Sequence, residues 1–129
     1  KPINETASGG ELSRIMLCLK AEISEAKSLP TIIFDEIDTG VSGDIADKMG
    51  NIMQEMGNNM QVICITHLPQ IASKGTEHYI VYKHDDSNTT QTNIKQLDKH
   101  ERITEIAKML SGKNLTNAAI QNAKELLNS

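Results

Sequence analysis

Apolar residues fall along this chain in two rhythms. Leu12, Ile15, Met16, Leu19, Ile23 and Ala26 recur every three or four positions, the period of an amphipathic helix running from about residue 9 to 27. Ser8, followed three residues later by Glu11, is a capping box at the start of that run. After Pro30 the rhythm changes: TIIF (31–34) is a short unbroken apolar run, which predicts a strand buried on both faces, as in a parallel sheet. Residues 35–43 are acidic and glycine-containing and read as a loop. A second helix over about 44–57 places Ile45, Met49, Ile52, Met53 and Met56 on one side, and Gly57-Asn58-Asn59 stops it. QVICIT (61–66) predicts a second buried strand.

Beyond that point the signals shorten. Pro69 opens a helical turn through Ser73, and Gly75 breaks it. Segments 78–84 and 91–97 read as a hairpin around the polar turn DDSNTT. Two closing helices follow, one lined by Ile103, Ile106, Ala107 and Leu110, the other by Ala119, Ile120, Ala123, Leu126 and Leu127. Strand, helix and strand joined by right-handed crossovers give an α/β class: a mainly parallel sheet flanked by helices, with a C-terminal hairpin and two helices. There is no internal repeat and no low-complexity tract.

Composition narrows the picture. A chain of 129 residues suits one domain with one compact core. With one Phe, two Tyr and no Trp, that core must be built from Ile, Leu, Val, Ala and the six Met. The net charge of −4 argues against strong nucleic-acid binding by this segment itself, since such affinity comes from Lys and Arg on phosphates. Cys18 and Cys64 both sit in apolar runs and read as buried core thiols rather than a disulfide. No signal-like stretch and no apolar run of about 18 residues occurs, so a cytoplasmic protein with no membrane partner is expected. The abrupt start at Lys1-Pro2 reads as a piece of something longer.

Three elements carry candidate chemistry, at the strand ends and the first helix tip, where open α/β sheets bind ligands. Ser8-Gly9-Gly10 opens a helix: free N–H groups, a partial positive charge and two glycines suit a phosphate. Alone, the string reads more readily as a plain N-cap worth about 1 kcal/mol. Asp35-Glu36 directly follows the first strand, where one carboxylate can hold Mg²⁺ through its water shell and the next can polarise a water. The bland alternative is an acidic turn. Thr66-His67 ends the second strand, where an imidazole could donate to a phosphate oxygen, although a His at a loop start is more often a polar surface residue. His78, His84 and His100 have no ligand-like spacing and read as surface residues, and no zinc pattern is present.

The order of these weak signals makes them strong. ASGGELSR (7–14) resembles the signature motif of ABC-type ATPases, TIIFDE (31–36) their Walker B strand and ITH (65–67) their switch histidine. ASGGELSR, FDEIDTGVSG, THLPQIA and NAKELL are similar to the RecN family of bacterial DNA-repair proteins, relatives of the SMC proteins, and the likeness runs over nearly the whole chain. The resemblance implies the C-terminal lobe of a P-loop-type ATPase head spanning residues 1–129, working with ATP and Mg²⁺. It implies that Ser8, Gly9 and Gly10 contact the γ-phosphate of ATP held on a second copy of the head, that Asp35 holds Mg²⁺ through water, that Glu36 is the catalytic base and that His67 senses the γ-phosphate. Residues 38–43 would form the loop crossing the dimer interface. Ser42 stands where ABC proteins commonly have Asp; it can hydrogen-bond but carries no charge.

A missing part matters equally. No G-x-x-x-x-G-K-[ST] string occurs, so the main phosphate cradle is absent. In this family it belongs to an N-terminal lobe beyond a long coiled coil. The chain is therefore expected to expose an apolar face where that lobe docks, to bind ATP weakly and to show no turnover alone. The whole protein would act on DNA, at the nucleoid, in double-strand break repair. Two other readings stay open: a head lobe of a different SMC-like or ABC ATPase, and a catalytically silent interaction module. Glu36 weighs against the second, because silent relatives often lose the base.

Overall fold

The computed structural model describes residues 9–112 and 114–128, with the side chains of 9–13 and 24–26 left aside. Ser8 and its capping box lie outside the described residues. The elements in chain order are α1 (Gly9–Lys27), β1 (Thr31–Asp35), α2 (Gly43–Met56), β2 (Gln61–Ile65), α3 (Pro69–Ala72), β3 (Tyr79–Asp86), β4 (Thr89–Gln96), α4 (Lys99–Ser111) and α5 (Asn117–Leu127). The chain divides into two compact units between Lys74 and Gly75, where the sequence reading had expected one core.

In the first unit β1 and β2 pair in parallel, with Thr31 opposite Gln61 and Asp35 opposite Ile65. Their connection is α2, so the unit is a β–α–β segment with α1 in front and the short α3 behind. The core is Leu17 of α1, Phe34 of β1, Ala46, Met49, Met53 and Met56 of α2, and Ile71 of α3. The expected apolar side of α2 is thus the one it buries, with Ile45 and Ile52 packed at its margin. Met fits this role because its unbranched thioether fills irregular gaps. Gly50 lets α2 lie close to the α3 segment: a Cβ there would come within 3.1 Å of the Gln70 carbonyl oxygen.

Two expectations are corrected here. The strands are buried on one face only: Phe34 is wholly enclosed, while the opposite face carries Ile33 at 60% exposure, Ile63 at 42% and Ile65 at 50%. The continuous apolar run fits two-sided burial, but among the described residues the packed core lies on one side of these strands. On α1 the regular stripe Ile15, Met16, Leu19 and Ile23 is exposed, and the helix instead buries Leu17, with Ala21 beside the core. Cys18 shares the exposed side and is no core thiol, whereas Cys64 is half-buried; both are free. The exposed apolar face expected from the sequence is therefore present, on α1 and on the outer side of β1–β2.

The second unit joins an antiparallel hairpin to a helical pair. β3 and β4 run from Tyr79 opposite Gln96 to Asp86 opposite Thr89, so only Ser87 and Asn88 form the turn and the strands extend through most of the polar string. Ile106 and Ala107 of α4 and Ala119 and Ala123 of α5 are its buried apolar residues. Polar bonds do much of the fastening. Asp98 caps α4 by accepting from the Glu101 N–H at 2.7 Å, and Glu101 accepts from the Asp98 N–H at 3.1 Å. Thr116 caps α5 by accepting from the Ala119 N–H at 3.0 Å. Arg102 donates to the Gly75 carbonyl. His78 is half-buried rather than a surface residue, and burial, helped by the Arg102 charge, pulls its pKa below the ordinary histidine value.

Candidate functional site

Parallel pairing sends the C-terminal ends of β1 and β2 to one rim of the sheet. The register opposes Asp35 to Ile65, and the Glu36 N–H continues the ladder by donating to the Ile65 carbonyl at 2.9 Å. Asp35-Glu36 and Thr66-His67, some thirty positions apart in sequence, therefore leave the sheet side by side. Both acidic residues are exposed, as a pair serving a ligand should be.

Glu36 is held in an unusual conformation. Its φ is +52°, in the left-handed region that costs a non-glycine residue about 1–2 kcal/mol. The ladder bond from its N–H and a bond from the Thr39 hydroxyl to its carbonyl at 3.1 Å fix it from both sides. The chain then turns at once: the Val41 N–H reaches the Asp38 carbonyl at 3.1 Å, with Gly40 at φ +75° as the third residue of that turn. Ser42 follows as the N-cap residue of α2; it is exposed and its hydroxyl makes no capping bond.

Beneath this rim lies a residue whose burial the sequence pattern does not signal. Asp38, assigned to a loop reaching across an interface, is 1% exposed. The Thr66 hydroxyl donates to Asp38 Oδ2 and accepts from the Leu68 N–H at 3.1 Å, so one hydroxyl joins both strand ends. Among the described residues Asp38 Oδ1 has no hydrogen-bond partner; it stands 3.7 Å from His67 Nδ1. The His67 side chain is itself 57% exposed. Burial, with the Asp38 charge adding to it, pushes the Cys64 thiol up to about 11 and keeps it protonated at neutral pH. Nothing in the hydrophobic rhythm marks Asp38, which sits between Ile37 and a Thr-Gly turn; the one available signal was an acidic residue two places after the acidic pair.

Gly9 and Gly10 are the first two residues of α1, so their N–H groups lie in the first turn, where no intrahelical acceptor exists. With Ser8 outside the described residues, the phosphate contact assigned to this tip stays an expectation. Among the described residues no three His, Cys, Asp or Glu side chains gather as a metal cage. Magnesium needs none, since it keeps several waters and takes one or two carboxylates, and the exposed Asp35 carboxylate fits that donor set.

The fold is similar to that of SMC ATPase heads. An SMC ATPase solved in a study of ATP-driven dimerisation and DNA-stimulated activation superposes with a TM-score of 0.66 at 20% identity, over 85% of this chain and 65% of that one. An SMC head solved with the C-terminal winged-helix domain of ScpA gives 0.59 at 23% identity, over 74% of this chain and 29% of that one. No protein-family profile matches the chain. Over nearly its whole length the chain is similar to proteins of the RecN family. DNA repair protein RecN of Rickettsia conorii is 47% identical over 97% of the chain, that of Vibrio cholerae 41% over 98% and that of Bacillus subtilis 42% over 98%. The chain spans less than a quarter of the length of these relatives, 22–23%. Among the described residues no helix is long and apolar enough to cross a membrane.

Proposed function

We propose that this chain is the catalytic-rim half of an ATPase head in a RecN-type DNA-repair protein, active when an N-terminal lobe carrying the phosphate loop completes it and when two heads enclose ATP between them. Magnesium bound with the nucleotide would neutralise phosphate charge. Asp35 would hold the ion's water shell, Glu36 would take a proton from the attacking water, and His67 would donate to the terminal phosphate. Ser8, Gly9 and Gly10 would reach the γ-phosphate on the second copy, and Ser42 would hydrogen-bond across that interface. Coupled to DNA, the cycle would serve recombinational repair of double-strand breaks in the cytoplasm, at the nucleoid. The chain alone would bind ATP weakly and turn nothing over.

One observation carries this reading: the ladder register that delivers Asp35, Glu36 and His67 to a single rim. The left-handed backbone at Glu36 supports it further, because such strain survives where the surroundings over-determine it and clusters at working sites. The test is Glu36→Gln in the full-length protein. Turnover should fall by about 10²-fold or more, the contribution of a positioned general base, while ATP-dependent head pairing persists or lengthens. Turnover equal to the parent would remove Glu36 from this role.

A further inference from the structure

The buried Asp38 has no part in the roles above, yet its surroundings are specific. A carboxylate with 1% exposure needs its oxygens bonded, and only Oδ2 is, by Thr66. Oδ1 has no partner among the described residues, and a ring N–H donor site, His67 Nδ1, stands 3.7 Å away. That separation lies outside hydrogen-bond range, which for N–H···O ends near about 3.2 Å, so a ring movement of under about 1 Å closes it. The ring is free to make it, because most of the His67 side chain is in solvent. Thr66 and His67 are consecutive, so the hydroxyl that fixes Asp38 also fixes the backbone from which the imidazole projects.

We propose that Asp38 is a positioning residue for His67: on nucleotide engagement its Oδ1 accepts the Nδ1 proton, fixes the ring orientation and leaves Nε2 as the nitrogen facing the rim. Which imidazole nitrogen carries a proton is set by the bond the other makes. Donation from Nδ1 to a carboxylate and from Nε2 to a phosphate oxygen together require a proton on each nitrogen, and the Asp38 carboxylate is placed to balance that charge. The inference rests on the assignment of His67 to the terminal phosphate.

The experiment is a double-mutant cycle in the full-length protein with ATP, comparing Asp38→Asn, His67→Ala and both together. Asparagine keeps an oxygen for Thr66 but turns an NH₂ toward Nδ1, so the ring loses both the acceptor for its Nδ1–H and the negative charge that balances a doubly protonated imidazole. Asp38→Asn should lower kcat by about 10- to 100-fold, the effect of losing one charge-assisted hydrogen bond, with KM for ATP little changed. In the His67→Ala background the same change should cost nothing more. Multiplying losses, or full turnover in Asp38→Asn, would overturn the proposal while leaving His67 in its role. Full turnover in His67→Ala would overturn both. Should Asp38→Asn fail to fold, Thr66→Val run through the same cycle decides: its loss, too, must vanish without His67.

Discussion

The two units of this chain solve the same problem by opposite means. The first assembles a sizeable apolar cluster around Phe34 and Met49, yet leaves Ile15, Met16, Leu19, Ile23, Ile33, Ile63 and Ile65 in water. The second has a small core of Ile106, Ala107, Ala119 and Ala123, and relies on capping and backbone-directed polar bonds: Asp98 with Glu101, Thr116 with Ala119, Arg102 with Gly75. Apolar surface is favourable to bury, by about 25 cal/mol per Å², and a piece that leaves this much bare is shaped to be covered. The unit that carries the candidate rim is thus the one with bare apolar faces, and the unit that closes on local bonds carries none of the rim residues.

The comparison can be broken most directly at neighbouring residues of β1. Phe34→Ala should cost about 3–5 kcal/mol, seen as loss of amide-exchange protection across β1, α2 and β2 while α4 and α5 keep theirs. Equal loss in both units would mean that they do not hold separately. In the second unit, Asp98→Ala should cost about 1 kcal/mol, read from the unfolding of α4, with the first unit's protection unchanged.

Acid should sharpen the contrast. Glu101 has its pKa lowered, first by the bond from Lys95 and then by the Asp98 N–H. A lowered carboxylate contributes stability that is present above its ordinary pKa and lost as pH falls through the folded value. His78, lowered by burial, acts in the same sense: below its ordinary value of 6.5 the unfolded chain takes up a proton first. Protection of α4 should therefore decline in two steps, as pH falls below about 6.5 through His78 and again below about 4.5 through Glu101, and Lys95→Met should flatten the second step.

The smallest effect is expected beside the largest. Ile33→Thr, one residue from Phe34 on the outward face, should change the stability of this chain by no more than about 0.5 kcal/mol. In the full-length protein it should cost clearly more, because the covering lobe would then meet a hydroxyl. A null effect there would leave the bare face without an occupant.

Much of this was legible in advance. The boundaries of α1, β1, β2 and α3, the buried side of α2 and the parallel pairing follow from period and punctuation, which are properties of the chain alone. The rim residues were legible too, because an acidic pair and a histidine each directly follow an apolar strand. Asp38 was not, since a buried carboxylate looks in sequence like any turn residue until its partner, Thr66, arrives from 28 positions away. The α4 capping box is written plainly in the sequence as Asp98-x-x-Glu101.

What the sequence determined by itself was which faces are apolar and where the chain must turn, because side-chain period and backbone preference act over a few residues. It could not determine which apolar face would be covered: on α1 the most regular stripe stayed in water and Leu17 took the core. That choice, like the bond that sets Glu36 beside Ile65 and the burial of Asp38 beneath the rim, was made by strand register and packing, which act between residues far apart in the chain and leave no periodic mark within it.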